Sequence, residues 1–477
     1  MTVLEFHEKL KTGKTSVREV IFDYLEKIKK ENKILNAYLE VFEEDALKQA
    51  QKIDERIASG ETPGVLWGVP VAVKDNILIE GKIASASSKI LGNYVASYSA
   101  TVIKKLEEAG AIILGRTNMD EFAMGSSTEN SAYGPTKNPL DHSRVPGGSS
   151  GGSVAAVSAD LAVLGLGSET GGSVRQPAAF CGVVGLKPTY GVVSRYGLMA
   201  MASSLDQIGP TAKNIRDCKI LFDVIKGKDE MDSTSRVTDT KNSKEVKIIG
   251  IPKEYFSAQG GSASGGEDGL DERIKKSINN LIKRLETKYE IRHVSLPHTK
   301  YALACYYIIM PAEVSSNLAR FDGIRYGVQK KSEDILGVYE KSRGSGLGLE
   351  TRRRILLGTY VLSSGYYDAY YSRAQKVRNL IVKDFEDVFK EVDVLLTPAT
   401  PTLPFKFGEK TKDPVSMYLA DIYTAPANLS GIPAISQPID WVSDGDKKFP
   451  IGMQLMAPSF CEERLFEVGE YLENLLK

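Results

Sequence analysis

The sequence predicts an α/β protein in which β-strands alternate with α-helices. Three observations support this class. Apolar residues recur at helical spacing over roughly the first 58 residues. From Leu66 onward, short runs of apolar residues alternate with amphipathic stretches. Two loops rich in Gly and Ser, at 147–153 and 168–175, bracket one helix–strand unit.

The N-terminal segment is predicted to be helical. The apolar residues at helical spacing are Val17, Val20, Ile21, Tyr24, Leu25 and Ile28. A turn rich in Gly, Ser, Thr and Pro at 59–64 ends this segment. We therefore expect residues 1–60 to pack as a helical segment on a single domain formed by residues 61–477.

The next elements alternate as expected for a sheet with crossover helices. The predicted strands are WGVPVAVKDNI (67–77), AIILGRTN (111–118) and LAVLGLGSE (161–169). The predicted helices are TVIKKLEEAG (101–110), SVAAVSA (153–159) and the stretch that follows TGGS at 170–173. Pro177 lies near the first turn of the last of these helices, where proline is tolerated.

The second half of the chain continues the pattern with longer helices. VKIIGIP (246–252) and DVLLTPAT (393–400) are predicted strands, and residues 352–390 are predicted to be mainly helical. The polar stretch SAQGGSASGGED (257–268) has nothing to bury, so we expect a mobile surface loop there.

Composition narrows the function classes. The 477 residues include 61 Lys plus Arg and 61 Asp plus Glu, so the formal net charge is zero. Because nucleic-acid-binding proteins usually carry a basic excess, we expect any RNA contact to be local or made by a partner. The four cysteines are far apart, which argues against a disulfide framework or a zinc site. The N-terminus has no secretory apolar stretch, and the longest apolar run is too short to cross a bilayer, so we expect a cytoplasmic protein without membrane contact.

The serines of VPGGSSGGSVAAV (145–157) are candidate nucleophiles, but a serine hydroxyl needs a base within hydrogen-bond reach. Residues 147–151 match the G-x-S-x-G nucleophile elbow of α/β-hydrolases. That elbow follows a buried strand, whereas the polar stretch DHSRVP precedes it here. The partner histidine would be His293 or His298, both close to Pro297. The elbow is therefore the weaker interpretation.

Lys74 is the other candidate base. It ends the strand VPVAVK, whose two faces both look buried, and a desolvated lysine loses its preference for the charged form. The alternative, a lysine at the end of a strand that reaches solvent, stays open at this point. The two Gly-Ser loops can meet at the sheet edge where the Lys74 strand ends, which is where open α/β sheets bind ligands.

These residues resemble the amidase signature family. The motifs that carry the resemblance are VAVKDN (71–76), GGSSGGS (147–153) and GSETGGSVRQP (167–177), and the similarity extends over most of the chain. The resemblance implies an α/β fold with a mixed central β-sheet covered by helices on both sides. It also implies a Ser-cisSer-Lys triad, with Ser173 as the nucleophile, Ser149 as the bridging serine and Lys74 as the base.

The family resemblance assigns a role to the second loop as well. Backbone N–H groups at a helix start lack intrahelical partners and can hold an oxyanion. The implied oxyanion-hole residues are Thr170, Gly171, Gly172 and Ser173. No metal site is expected in this chain.

Within the family, the second half of the chain is similar to the branch that supplies the glutamine-hydrolysing subunit of tRNA-dependent amidotransferases. The similar stretches lie at 306–327, 352–378 and 417–436. This resemblance implies that Arg354 holds the glutamine carboxylate, that Asp421 holds its ammonium group and that Tyr306 lines the site. The register among Arg352–Arg354 and between Tyr306 and Tyr307 stays open.

The implied activity is release of ammonia from glutamine through an acyl-Ser intermediate, for transamidation of Glu-tRNA(Gln) or Asp-tRNA(Asn). The implied partners are the B and C subunits of the amidotransferase, with the mischarged tRNA held mainly by the first of these two. ATP and Mg²⁺ would be used by that same partner, and this chain would need no cofactor. Two alternatives are a stand-alone amidase that hydrolyses another small amide and a non-catalytic scaffold.

Overall fold

The computed structural model describes residues 1–236, 245–256, 269–411 and 413–476. Within these ranges eleven strands form one sheet, in the order β1-β3-β2-β4-β6-β5-β10-β11-β9-β7-β8. The strands are β1 (Tyr38–Val41), β2 (Pro70–Lys74), β3 (Ile112–Thr117), β4 (Leu164–Glu169), β5 (Val184–Lys187), β6 (Gln207–Ala212), β7 (Ile248–Pro252), β8 (Glu290–Val294), β9 (Val394–Pro398), β10 (Ala434–Asp444) and β11 (Lys447–Met456).

Fifteen α-helices accompany the sheet in the described part of the chain. They are α1 (Val3–Lys11), α2 (Val17–Leu35), α3 (Glu43–Ala58), α4 (Thr101–Glu108), α5 (Gly151–Ser158), α6 (Arg175–Cys181), α7 (Ile215–Ile225), α8 (Glu272–Leu285), α9 (Ala302–Asn317), α10 (Ile335–Gly346), α11 (Leu349–Leu362), α12 (Arg373–Val388), α13 (Pro414–Tyr418), α14 (Ala425–Ser430) and α15 (Glu462–Leu476).

The sheet is mixed, as predicted. Strand β2 runs parallel to β3 and β4, and β7 runs parallel to β8 and β9. The other neighbouring pairs are antiparallel. The α/β class and the mixed character of the sheet are therefore confirmed.

Both faces of the sheet are covered. Alternate residues of a strand point to opposite faces, and in β9 Val394 and Leu396 belong to one core cluster while Leu395 belongs to another. The first core also contains residues of α2, α7, α8 and α15. The second core contains residues of α9, α12 and α14. Two helical layers therefore enclose the sheet.

The first 60 residues contain three helices and one strand. Local sequence explains how α1 and α2 start: Thr2 and Ser16 are N-caps, and the glutamate three residues after each cap completes a capping box. The helical prediction missed β1, which pairs antiparallel with β3 at the edge of the sheet. The separation of a domain at residue 60 stays a prediction.

The predicted helical stretch 352–390 is divided in the structure. Helix α11 ends at Leu362, a π-helical turn spans Tyr367–Ser372, and α12 begins at Arg373. Gly365 lies between them with a φ of 86°, a conformation that ends helices and suits glycine. The loop predicted at 257–268 lies outside the described residues.

The end of β2 marks the region that concerns function. Strands β2 and β4 are parallel, so Lys74 and Glu169 end at the same edge of the sheet. All four cysteines are free. None of the described helices is long and apolar enough to cross a membrane.

Candidate active site

Lys74 is fully buried at the C-terminal end of β2. Its Nζ atom lies 2.8 Å from Ser149 Oγ, 2.9 Å from Ser150 Oγ and 3.0 Å from the carbonyl oxygen of Ser168. The alternative of a lysine that reaches solvent is therefore wrong. The structure brings the candidate base into direct contact with the candidate bridging serine.

The environment of Lys74 favours the neutral amine. Burial lowers the pKa of Lys74 to about 7, because an ammonium group loses its hydration there. The carboxylates of Asp120, Asp206 and Glu169 act in the opposite direction. Burial also raises the pKa of Asp120 and that of Asp206, each to about 6. At neutral pH, Lys74 is therefore divided between its two protonation states.

Ser149 lies in a tightly enclosed loop before α5. The Gly148–Ser149 peptide bond is cis. Gly148 donates its N–H to Gln176 Oε1 at 3.0 Å, and Thr128 Oγ1 donates to the carbonyl oxygen of Gly147 at 2.7 Å. A Cβ atom on Gly148 would lie 2.2 Å from Asp120 Oδ2, so only glycine fits at this position. Ser149 is thus held from both sides of its loop.

Ser173 lies between β4 and α6, close to the Ser149 loop. Its carbonyl oxygen accepts a hydrogen bond from the N–H of Ser150 at 3.0 Å. Its side chain is 7% exposed, whereas Ser149 is fully buried. Among the described residues, no hydrogen-bond partner is found for Ser173 Oγ. Ser173 is therefore the hydroxyl of this group that remains free to meet a substrate, and its predicted contact with Ser149 is not formed in this structure.

The loop 170–173 offers donors without partners. Within the described ranges, the N–H groups of Thr170, Gly171, Gly172 and Ser173 donate to no protein acceptor. A Cβ atom on Gly171 would lie 2.6 Å from the Tyr306 ring, and one on Gly172 would lie 2.3 Å from Thr424 Oγ1. Side chains from two other segments therefore pack directly against this loop, and the glycines allow that approach.

A fully buried ion pair supports the loop from below. Arg175 Nε donates to Glu169 Oε1 at 2.8 Å, and Glu169 also accepts the N–H groups of Val174 and Arg175, both at 3.0 Å. The Arg175 guanidinium reaches Asn428 Oδ1 at 2.5 Å and the carbonyl oxygen of Thr424 at 2.9 Å. The ion pair thus ties the 170–173 loop to the segment that contains Thr424.

Asp421 lies beside this loop. A Cβ atom on Gly172 would be 3.2 Å from Asp421 Oδ1. The carboxylate accepts hydrogen bonds from Ser126 Oγ at 3.0 Å and from Tyr307 OH at 3.3 Å. Burial raises the pKa of Asp421 to about 7, and the hydrogen bond from Ser126 and the nearby Arg354 limit that rise. The structure therefore places a buried carboxyl group at the predicted position of ammonium recognition.

Arg354 is the buried member of the arginine run, since Arg352 and Arg353 are exposed. Its Nε donates to Glu350 Oε1 at 2.7 Å, and its guanidinium lies 5.4 Å from the ring of Tyr307. Tyr307 in turn contacts Asp421, so the cation and the carboxyl group share one lining residue. Of the two tyrosines left open by the sequence, Tyr306 packs on the 170–173 loop and Tyr307 contacts Asp421.

Sequence reasoning did not identify several neighbours of these residues. Ser150 and Ser168 hold the Lys74 amine, Ser126 and Tyr307 hold Asp421, and Glu350 holds Arg354. The second serine of GGSSGGS was a visible signal for Ser150. For the others there was no local signal, because their contacts join segments far apart in the sequence.

The histidines of the elbow interpretation lie elsewhere. His293 is on β8, the edge strand at the opposite end of the sheet from β2 and β4. His298 Nδ1 lies 2.8 Å from Asp384 Oδ1. The elbow interpretation is therefore wrong. Within the described residues, no group of three or more His, Cys, Asp or Glu side chains could hold a metal ion.

Comparison with known proteins gives a consistent result. The amidase family model matches residues 19–466. The A subunit of glutamyl-tRNA(Gln) amidotransferase from Carboxydothermus hydrogenoformans is 52% identical, with 99% of this chain and 97% of that protein covered. The protein of the same name from Koribacter versatilis is 53% identical, with 95% and 94% covered.

Solved structures agree in fold. The crystal structure of the A subunit of glutamyl-tRNA(Gln) amidotransferase from Thermotoga maritima is 40% identical, has a TM-score of 0.78, and is matched over 99% of this chain and 94% of that one. The native peptide amidase of Stenotrophomonas maltophilia is 26% identical, has a TM-score of 0.80, and is matched over 100% of this chain and 97% of that one. The chain belongs to the amidase signature family.

Proposed function

We propose that this chain is the glutamine-hydrolysing A subunit of a tRNA-dependent amidotransferase. The observation that carries the chemistry is the buried Lys74 amine, 2.8 Å from Ser149 Oγ and next to the loop that contains Ser173. The relatives that share about half of their residues with this chain, and that carry this name, support the branch of the family.

The hydrogen bonds around Lys74 suggest how the proton moves. A neutral amine has two N–H donors and one lone pair. Ser150 Oγ lies 3.1 Å from the Ser168 carbonyl oxygen and can donate its proton there, so Ser150 accepts from Lys74. Lys74 gives its second N–H to the same carbonyl oxygen. The lone pair is then left for the hydroxyl proton of Ser149, which in turn can accept the proton of Ser173.

The reaction then takes place in two halves. Ser173 Oγ attacks the side-chain amide carbon of glutamine while its proton passes through Ser149 to Lys74. The N–H groups of residues 170–173 stabilise the oxyanion that forms. The C–N bond breaks as the nitrogen takes a proton back, and ammonia leaves. Water then attacks the glutamyl ester, releases glutamate and restores the Ser173 hydroxyl.

Charged groups at the site suit a zwitterionic substrate. In the proposal, Asp421 binds the α-ammonium group, the terminal nitrogens of Arg354 bind the α-carboxylate, and Tyr306 lines the space beside Gly171. A hydrophobic amide would leave the buried Asp421 and Arg354 without a substrate partner, which costs binding energy. This argument favours glutamine over the substrates of a stand-alone amidase.

The ammonia needs an acceptor that this chain does not itself carry. We infer that the B and C subunits complete the complex, and that the first of these partners uses ATP and Mg²⁺ to activate the carboxylate of the mischarged tRNA. The zero net charge of this chain fits a protein that leaves most tRNA contacts to its partner. A cytoplasmic location is part of the same proposal.

The test is a glutaminase assay on the purified chain, alone and with its partner subunits. We expect glutamate and ammonia in equal amounts, and an increase in rate when partner subunits, ATP and mischarged tRNA are added. Ser173→Ala is the matched control for background hydrolysis. Efficient hydrolysis of hydrophobic peptide amides without turnover of glutamine would refute the proposal.

A further inference from the structure

Exposed apolar side chains are concentrated on one face of α11 and on the π-helical turn that follows. Leu349 and Leu356 are 68% and 71% exposed, and Tyr360 is 47% exposed. These three positions are seven and four residues apart, so they share one face of the helix. Tyr366 and Tyr370 continue the surface with 40% and 42% exposure.

The three tyrosines form a connected surface, which we call the tyrosine face together with Leu356. The ring centroids of Tyr360 and Tyr366 are 4.3 Å apart, and Tyr370 lies 6.3 Å from Tyr360 and 6.0 Å from Tyr366. The rings contact one another, yet each remains substantially exposed. Contiguous exposed aromatic surface of this kind is typical of binding sites, and tyrosine is enriched among residues that dominate binding energy.

The opposite face of α11 belongs to the active site. Arg354 is on that inner face, and a Cβ atom on Gly358 would lie 1.8 Å from the carbonyl oxygen of Pro311 in α9. Helix α11 is therefore packed closely against α9 on one side and exposes the tyrosine face on the other. The two faces are separate surfaces of a single rigid element.

Charge indicates the chemistry of the partner. Residues 349–383 contain seven Lys or Arg and two Asp or Glu, a net charge of +5 in a chain whose net charge is zero. Arg353 and Lys376 are among the basic residues on and beside this segment. A surface with this charge attracts acidic partners. The exposed leucines favour a protein over RNA, because aliphatic side chains gain most when apolar atoms remove them from water.

We propose that the tyrosine face is the docking surface for an acidic segment of the partner subunit that consumes the ammonia. The proposal rests on the proposed function, because it takes this chain to be one member of a complex. The segment would supply apolar side chains to Leu356 and the tyrosines and carboxylates to the surrounding basic residues. Docking there would place the partner on the outer side of the helix that carries Arg354.

The test is a binding titration of the full chain against the B and C subunits of the same organism. We compare the unmodified chain with Tyr360→Ser, Leu356→Ser and the triple variant Tyr360→Ser/Tyr366→Ser/Tyr370→Ser. Each single variant should weaken binding about tenfold, and the triple variant should weaken it at least about a hundredfold. Lys376→Glu should weaken binding mainly at low ionic strength. The matched control is Phe22→Ser on α2, where the phenylalanine is 50% exposed and binding should be unchanged.

Glutaminase activity of the isolated chain separates the two levels of the proposal. The variants should retain the basal rate, because the substituted side chains point away from the site. Unchanged partner binding by the triple variant would overturn the docking surface, whether or not the chain hydrolyses glutamine. Loss of tRNA binding alone, or patch-dependent self-association of the chain, would also overturn it in favour of RNA or of a second copy. Absence of glutamine hydrolysis in the unmodified complex would instead refute the proposed function.

Discussion

The pH dependence of glutamine hydrolysis tests the two most unusual ionisable groups together. Burial lowers the pKa of Lys74 to about 7, so the neutral amine predominates above that pH and the inactive ammonium predominates below it. Burial raises the pKa of Asp421 to about 7, so the carboxylate that binds ammonium is also lost below that pH. Both changes lower activity as the solution becomes more acidic.

The expected size follows from these values. At pH 5 about 1% of Lys74 is neutral and about 1% of Asp421 is ionised, since each pH unit below the pKa changes the fraction about tenfold. The kcat/KM for glutamine should therefore fall by up to about 10⁴-fold from its plateau, with a slope that approaches two. Glutaramate, which is glutamine without its amino group, does not need an ionised Asp421. Its kcat/KM should fall only about 100-fold, with a slope of one.

The assay is ammonia release with both compounds across about pH 5 to 8, with circular dichroism at each pH to verify folding. Asp421→Asn provides the matched control, because it should reduce the slope for glutamine to one. A kcat/KM that is independent of pH over this range would refute Lys74 as the base. Equal slopes for glutamine and glutaramate in the unmodified protein would refute Asp421 as the ammonium-binding group.

Three further substitutions test other parts of the site. Ser173→Ala should abolish glutamine hydrolysis and shift the thermal midpoint by no more than a few degrees, because the hydroxyl has no protein hydrogen bond to lose; residual turnover at the original rate would exclude Ser173 as the nucleophile. Glu350→Ala should raise KM for glutamine about tenfold with little change in kcat, because Arg354 loses the partner that orients it; steady-state kinetics that show only a lower kcat would contradict this. Arg175→Met should lower the free energy of unfolding by about 3–5 kcal/mol, because Glu169 is left buried without its partner. Urea denaturation measures this loss, adding Glu169→Gln should recover part of it, and an unchanged midpoint would show that the ion pair does not stabilise the loop.

The strand that carries Lys74 could be predicted from the sequence because its information is local. Alternating small and β-branched residues without charges describe a strand buried on both faces, and the structure buries every residue of β2. The meeting of this strand with the two Gly-Ser loops followed from a general rule about sheet edges. That rule depends on parallel pairing, which β2 and β4 have.

Strand β1 and the break after α11 could not be predicted in the same way. Strand β1 has four residues, of which only Tyr38 is buried, and it lies between two long helices. Its pairing with β3 depends on a distant segment, so its own sequence carries little information. The stretch 352–390 kept helical periodicity across Gly365, and periodicity alone does not show where a chain changes direction.

The partners of the candidate site residues required the three-dimensional structure. Ser126 and Asp421 are 295 residues apart, and their hydrogen bond exists because two loops meet at one edge of the sheet. Glu350 and Arg354 are one helical turn apart, so their pairing could have been expected from the spacing. The inward direction of Arg354, rather than Arg352 or Arg353, depends on how α11 packs on α9.

The position of Lys74 explains how the site can do without a histidine. Imidazole titrates near neutrality even in water, whereas a lysine reaches this range only when burial removes its hydration. Burial alone would lower the pKa of Lys74 further and leave a weaker base, but Asp120, Asp206 and Glu169 raise it again. The value of about 7 is thus a balance of two opposing effects. Admission of water to the amine would move the acid limb of activity to higher pH, and removal of one neighbouring carboxylate would move it to lower pH.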